Sequence, residues 1–302
     1  VSLERWDRVW RRNQHLVAGL LRSDPSLRVL FVEPPADPTH ALRRGARPRF
    51  GAGLREITGV SGVAPGQLWS FQDTKWAPRR VDPWADQRLA RHVRRAAARL
   101  GMRRPVLWVN DPSGARLAQE SGWPSLYDVT DDWVLADRQS RERDRTGRNE
   151  ELLLSTCDVT VVCSPALGAA KTRTGRPSPV LVPNAVDPEP YRQQQPRPGD
   201  LPDGPVVLYV GTAHPDRLDV ELTADLADEL GDQATVVLVG PAVLPPSAEA
   251  RLRDAGVRLL GSRDSEDVPA YLQHADVLLV PHVLSPFTAS PRPTNAHEDR
   301  AA

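Results

Sequence analysis

Cysteine and lysine are scarce in this sequence of 302 residues. The only cysteines are Cys157 and Cys163, which flank an apolar stretch typical of a β-strand, and the only lysines are Lys75 and Lys171. Two cysteines cannot build a framework of several disulfides, and neither an HExxH segment nor a Cys/His cluster offers zinc ligands at the usual spacing. We therefore expect two buried thiols in a reduced protein, and no metal site.

Three further patterns are missing. There is no GxGxxG after a strand and no GxxxxGK[ST], which argues against dinucleotide-dependent oxidoreduction and P-loop chemistry. No helix-turn-helix or single-strand aromatic motif indicates a nucleic-acid partner. No apolar run approaches the ~20 residues that span a bilayer, and no signal peptide pattern opens the sequence. These absences favour a cytoplasmic protein that does not bind nucleic acid.

Basic residues are concentrated in the first half. Residues 1–150 hold 27 Lys and Arg against 18 Asp and Glu, a net charge of +9, whereas residues 151–302 hold 12 against 21, a net of −9. The basic half could face an anionic acceptor or the inner face of a membrane. For Arg91–Arg104 a solvated helix face is favoured instead, because an apolar stripe of helical spacing underlies it: Leu89, Val93, Ala96 and Leu100.

Short apolar runs alternate with amphipathic stretches along the chain, which predicts an α/β fold with parallel sheets. Val1–Leu3 has the character of the last residues of a strand, and Asp37–Gly66, which is rich in Arg, Gly and Pro, is predicted to be a surface loop. The other predicted strands are Leu27–Val32, Gln67–Gln72, Pro105–Val109, Leu126–Thr130, Val159–Cys163, Val206–Val210, Thr235–Val239, Val257–Leu260 and Asp276–Val280.

The chain is organised around the stretch from Pro179 to Arg217. A strand pattern leads into PNAVD, a polar Pro-rich spacer follows, and a second strand ends in Gly211 before a helical pattern begins. A strand, a glycine turn and a helix N-terminus make an anion site, and Arg217 adds a guanidinium suited to phosphate. The alternative is that Gly211 only permits a tight turn and Arg217 is a solvated surface charge.

PNAVD after a strand resembles the VPNGVD junction of retaining GT-B glycosyltransferases of the GT4 type. Other segments resemble one branch of that family in the family's order: WDRVWRRNQHL, QDTKWAPRRVDPW, PVLWVNDPSG, LYDVTDDW, VVLYVGTAHPDRLDV and HADVLLVPHVLSPFT. The resemblance implies two Rossmann-like domains, an acceptor domain over residues 1–191 and a nucleotide-sugar domain over residues 204–302, joined by a linker over 192–203.

The implied reaction moves a hexose from a nucleotide diphosphate sugar to an acceptor hydroxyl with retention, without a metal or any cofactor besides the sugar nucleotide. The acceptor would be a glycan, a lipid-linked molecule or a small molecule in polysaccharide or glycoconjugate biosynthesis. By the same resemblance the family's first strand begins earlier and further βα units follow Ala302. We therefore expect a shortened chain with an incomplete second domain and weak activity. The alternatives are a catalytically impaired relative and a membrane-surface binding module.

The resemblance also implies site residues in the first domain. Asp131 stands at a strand end where many relatives carry a His over the transferred sugar, and a carboxylate there could orient the acceptor or stabilise cationic character at the sugar carbon. Asp132 is expected to cap the next helix. The acceptor-binding candidates are Arg12, Asn13, Gln14, Asn110 and Asp111.

In the second domain, Gly211, Thr212 and Arg217 match the family's donor phosphate loop. Gly240 and Gly261 end strands that flank the base pocket in relatives, and Glu298 matches the carboxylate that bonds the donor ribose. The tail around Glu298 has the sequence PFTASPRPTNAHED, whereas the branch that this chain resembles usually has the pattern PFTDSLDPxKxYEY. The family's sugar-phosphate contacts are therefore not carried over to this tail.

Overall fold

The computed structural model describes residues 1–43, 47–77, 82–132 and 140–285, and the chain divides into two units that meet in sequence between Val182 and Pro183. Within the described ranges, no helix combines the length and the apolar character needed to cross a membrane.

The first unit alternates helices and strands. A three-stranded sheet has the order β1-β3-β2, with β1 parallel and β2 antiparallel to β3, and a parallel four-stranded sheet has the order β4-β5-β6-β7. The helices are α1 Arg12–Ser23, α2 Pro38–Arg43, α3 Ala85–Arg99, α4 Ala115–Ser121, α5 Ser140–Thr156 and α6 Pro165–Lys171. The strands are β1 Val29–Val32, β2 Gly53–Glu56, β3 Leu68–Gln72, β4 Leu107–Val109, β5 Ser125–Val129, β6 Val159–Val162 and β7 Val180–Leu181.

Val1 and Ser2 lie between these two sheets. The amide of Asn110, just after β4, donates to the carbonyl oxygen of Val1 at 2.9 Å, and the Ser2 amide donates to the carbonyl oxygen of Val32 in β1 at 2.9 Å. Val1 and Ser2 therefore make strand-like hydrogen bonds, as predicted, but no regular strand forms there and Leu3 lies in a bend.

The core of the first unit forms where α3 packs on the sheets. Leu89 and Val93 of α3 are buried together with Val32 of β1 and Tyr127 of β5, as the helical stripe in the sequence predicts. Both cysteines are free and buried, also as expected.

The second unit is built on one parallel sheet of order β10-β9-β8-β11. Its strands are apolar on both faces: Val207 and Tyr209 of β8 pack in one cluster, and Val206 and Leu208 pack in the other. Burial on both faces explains why the strands are continuous apolar runs. The elements are α7 Glu189–Arg192, β8 Val206–Val210, α8 Val220–Leu230, β9 Thr235–Val239, α9 Pro246–Asp254, β10 Arg258–Gly261, α10 Val268–Gln273 and β11 Val277–Leu278.

The segment predicted as a surface loop, Asp37–Gly66, contains two regular elements. Helix α2 lies near its start, and β2 pairs antiparallel with β3, with Leu54 opposite Phe71. The prediction of an unstructured loop was wrong because β2 is only four residues long and its sequence, GLRE, shows no apolar alternation.

The unit boundary also differs from the predicted boundary at residue 191. Tyr191 and Leu201 are buried with Tyr271 in the core of the second unit. Asp200 accepts a hydrogen bond of 2.8 Å from the Tyr271 hydroxyl and pairs with Arg263. The Pro-rich stretch over residues 192–203 is therefore docked on the second unit by a few anchoring side chains that its polar composition conceals.

Candidate active site

Arg12, at the start of α1, extends over the carboxyl ends of the strands in the first unit. Its Nη2 donates to the carbonyl oxygen of Val182 at 2.9 Å and lies 3.5 Å from Asp128 Oδ1. The other oxygen of Asp128 accepts from Trp108 Nε1 at 3.2 Å. Asp128 is 1% exposed, so the guanidinium and the indole N–H compensate a carboxylate that would otherwise be buried at high cost.

Asn110 and Asp111 are held by the fold next to this pair. Asn110 Nδ2 donates to the backbone oxygen of Asp128 at 3.1 Å, which ties the end of β4 to β5. Asp111 Oδ1 accepts from the backbone amide of Ser113 at 2.8 Å and caps the short 3-10 turn that follows β4. Both residues thus shape the strand ends, and the acceptor contacts predicted for them remain predictions.

Asn13 and Gln14 are buried in the first turn of α1. Gln14 Oε1 accepts from the Arg11 amide at 3.1 Å and its Nε2 donates to the Arg5 carbonyl at 2.9 Å, so this fully buried side chain fixes the start of the helix. Such burial places Gln14 away from an acceptor, contrary to the sequence prediction. Asn13 Nδ2 donates to Ser2 Oγ at 3.2 Å, and its Oδ1 has no partner among the described residues.

Asp132 is anchored in a buried ionic cluster. Lys171 Nζ, at the end of α6, lies 2.8 Å from Asp132 Oδ1 and 3.1 Å from a Glu150 oxygen, and Glu150 also accepts from the Tyr127 hydroxyl at 3.2 Å. The three charged residues are at most 7% exposed. The capping role predicted for Asp132 concerns residues 133–139, which lie outside the described part of the chain. The structure pairs its carboxylate with Lys171.

Asp131 precedes this cluster at the end of β5 and is half-buried. Burial raises the pKa of the nearby Cys163 thiol to about 11. Of the charges that act on this thiol, Arg12 lowers its pKa, and Asp131 and Asp128 raise it. Arg12, Asp128 and Asp131 therefore lie within electrostatic reach of one point at the strand ends. Around Cys163, this edge of the sheet combines the guanidinium of Arg12 with the carboxylates of Asp128 and Asp131.

Three glycines form the corresponding edge of the second unit. Gly211, Gly240 and Gly261 stand at the ends of β8, β9 and β10, and the Gly240 amide donates to the Gly261 carbonyl at 2.9 Å. A Cβ on Gly240 would lie 2.0 Å from the Gly211 oxygen, and the φ of Gly240 is +141°. Glycine is therefore required at position 240, where the backbone packs closely against that of Gly211, and Gly211 in turn packs against the Tyr209 side chain.

The loop after Gly211 is fixed by hydrogen bonds on both sides. The Tyr209 hydroxyl donates to the Thr212 carbonyl at 3.3 Å, and the Arg217 amide donates to the His214 carbonyl at 3.0 Å. The Arg217 carbonyl accepts from the Val283 amide at 2.7 Å. These bonds hold the backbone of the half-buried Arg217 at the carboxyl edge of the sheet.

The N-terminus of α8 contributes less to an anion site than the sequence suggested. Asp219 caps the helix by accepting from the Leu222 amide at 3.0 Å, and Glu221 adds a second carboxylate in the first turn. Arg217 is therefore the candidate cation at this edge, because Arg263, which follows β10, is paired with Asp200. Burial, followed by the nearby Arg217, lowers the pKa of His282, whose ring packs edge-on against Tyr209 with centroids 6.2 Å apart.

The sequence prediction missed three residues of the two edges, and one predicted residue cannot be placed. Asp128, Lys171 and His282 carry the electrostatics of the two edges but were not predicted as site residues, although a carboxylate inside an apolar strand such as LYDV signals a required partner. Glu298 lies outside the described residues. Within the described ranges, no group of three or more His, Cys, Asp or Glu could hold a metal ion.

Comparison with known proteins gives one family match and several structural matches. Residues 204–291 match the family model of glycosyl transferases group 1. No curated protein matches the sequence.

Among solved structures, an E. coli protein described as trehalose-6-phosphate bound with UDP-2-fluoro glucose is similar at 11% identity and TM-score 0.63, over 99% of this chain and 80% of that one. OtsA in its apo form is similar at 10% identity and TM-score 0.57, over 88% of this chain and 74% of that one. Anabaena HepE in complex with UDP and glucose is similar at 14% identity and TM-score 0.53, over 83% and 73%. These similarities confirm the predicted α/β fold of the GT-B type with parallel sheets, and the segment that matches the group 1 family model lies in the second unit.

Proposed function

We propose that this chain is a retaining glycosyltransferase of the GT4 type that transfers a sugar from a nucleotide diphosphate sugar to an acceptor hydroxyl. The observation that carries the proposal is the edge of the second unit, where strand-end glycines and Arg217 lie within the segment that matches the group 1 family model. Two of the similar structures are described as bound to UDP or a UDP-sugar analogue, which supports a uridine nucleotide as the first donor to test.

Arg217 would bind the donor diphosphate. A guanidinium makes charge-assisted, bidentate contacts with phosphate oxygens, and it can stabilise the charge that develops on the leaving diphosphate. No metal is needed in this scheme, because the cation comes from the protein. Gly240 and Gly261 would leave room for the nucleoside, and Thr212 would contact a phosphate from the loop.

The strand ends of the first unit would bind the acceptor. Arg12 offers donor groups for hydroxyls, and the half-buried Asp131 would orient the reacting hydroxyl or stabilise positive charge at the sugar carbon. The buried pairing of Asp132 with Lys171 would keep the neighbouring Asp131 in place. Glycans, lipid-linked molecules and small molecules all remain candidate acceptors in polysaccharide or glycoconjugate synthesis, at a cytoplasmic location.

A panel of nucleotide diphosphate sugars tests the proposal. Release of the nucleotide diphosphate is measured for UDP-, GDP-, ADP- and dTDP-sugars, with and without sugar acceptors, and the anomeric configuration of any product is read by NMR. We expect one nucleotide to support release and the product to keep the donor configuration. Inverted product would contradict the retaining assignment, and failure of all four nucleotides both to bind and to react would contradict the proposed function.

A further inference from the structure

The first unit contains a cavity of about 330 Å³ that none of the candidate site residues described above line. It lies between the paired strands β2 and β3 on one side and α3 on the other, and Leu54, Phe71 and Ala96 form its apolar wall. Its volume falls in the lower part of the ~300–1,000 Å³ range of small-molecule sites. Gln72, Asp73 and Thr74 line it at the carboxyl end of β3, the edge at which α/β proteins bind ligands.

Two arginines line this cavity without protein partners. Arg95 and Arg99 are one helical turn apart on α3, and neither makes an ion pair or a side-chain hydrogen bond among the described residues. Arg88, on the same helix, differs because it is paired with Asp82. Guanidinium groups one turn apart can converge on one phosphate or carboxylate.

The acidic group in the cavity wall already has hydrogen-bond partners. Asp73 Oδ2 lies 2.9 Å from His92 Nδ1, and Asp73 Oδ1 accepts from the Thr74 amide at 2.8 Å. Both oxygens are engaged by these donors, and among the described residues Asp73 forms no ion pair with Arg95 or Arg99. The Thr74 Oγ1 accepts from the Gly51 amide at 2.8 Å, which leaves its hydroxyl proton to donate to a ligand.

We propose that this cavity binds the phosphate of a small soluble phosphate monoester of sugar-phosphate size. Arg95 and Arg99 would bind the phosphate, Thr74 would donate a hydrogen bond, and the Leu54–Phe71 wall would contact the body of the ligand. The sequence pattern favoured a solvated face for the basic side of α3, whereas this proposal assigns a ligand to it. Both arginines are exposed at the rim, so binding should weaken as salt is added.

The test uses the whole chain and requires no nucleotide. Glucose 6-phosphate, inorganic phosphate and neutral glucose are titrated at low salt while the amide resonances of Gly51 and Gly53, which line the cavity, are followed by NMR. Arg95→Ala and Arg99→Ala are compared with Arg94→Ala, an exposed arginine on the same helix that does not line the cavity. We expect the two phosphates to shift both resonances, each cavity variant to weaken binding by about 5-fold or more, and Arg94→Ala to stay within about 2-fold.

Three outcomes would overturn the proposal. The first is an absence of saturable shifts with either phosphate. The second is an equal loss in Arg94→Ala, which would indicate unspecific attraction to the basic half. The third comes from a separate titration with anionic phosphatidylserine vesicles. If the vesicles bind and the soluble phosphates do not, and if this binding is lost in the Arg95 and Arg99 variants, the ligand is a membrane surface. The melting temperatures of all variants should match, because the three side chains are exposed.

Discussion

Replacing Lys171 by Met should destabilise the first unit strongly. Lys171 is 5% exposed and is the cation between the buried carboxylates of Asp132 and Glu150. Methionine keeps most of the volume but leaves two buried carboxylates uncompensated. Removing one partner of a buried ion pair costs about 3–5 kcal/mol. At about 2–4 °C per kcal/mol for a unit of this size, the melting temperature should fall by roughly 6–20 °C.

The assay compares thermal unfolding of Lys171→Met with that of two controls. Arg173→Met removes a nearby ion pair with Glu151 whose side chains are 34% and 60% exposed, so it should cost less than about 1 kcal/mol. The triple variant Lys171→Met/Asp132→Asn/Glu150→Gln removes all three charges and should recover part of the loss. Equal shifts for Lys171→Met and Arg173→Met, or a triple variant no more stable than Lys171→Met, would refute the reasoning.

Three further predictions follow from single groups. Cys163, whose pKa burial raises to about 11, should resist iodoacetamide at pH 8 in the folded protein and react in urea, as shown by mass spectrometry; rapid native alkylation would contradict its burial. Burial lowers the pKa of His282 below 6.5, so the unfolded second unit binds a proton more readily than the folded unit. The stability of the second unit should therefore be full above pH 6.5 and decline below it. A His282→Gln variant that shows the same decline would contradict this prediction. Asp131→Asn should cut turnover by ~10²-fold or more with an unchanged melting temperature, and a lower melting temperature with normal turnover would indicate a structural role.

The second unit was predicted closely because its signals are local. The predicted strands Val206–Val210 and Thr235–Val239 have the observed bounds, since apolar runs buried on both faces end abruptly at glycine. In the first unit, β2 was missed because an edge strand of four residues depends on its pairing with β3 rather than on its own pattern.

The strand-end positions of Asp131 and Gly240 were predictable because the strand pattern decides them, whereas their roles stay predictions. The contacts of Arg12 with Asp128 and of Lys171 with Glu150 join residues 116 and 21 positions apart, and no spacing rule reveals them. Gln14 shows the opposite error: a polar residue near a helix start was assigned to an acceptor, whereas its two hydrogen bonds to Arg11 and Arg5 belong to the helix start itself. Tyr191 and Leu201 likewise show how single apolar anchors dock a polar, Pro-rich segment.

Nucleotide binding by the second unit tests the central claim most directly. Isothermal titration of the chain with UDP, GDP, ADP and dTDP should identify at least one ligand, and Arg217→Ala should weaken its binding by about 1.5–3 kcal/mol, the value of a charge-assisted hydrogen bond. Arg253→Ala, in which an exposed arginine of the same unit is removed, should leave the affinity unchanged. Unchanged affinity in Arg217→Ala, or no binding of any nucleotide diphosphate to the folded chain, would contradict the account.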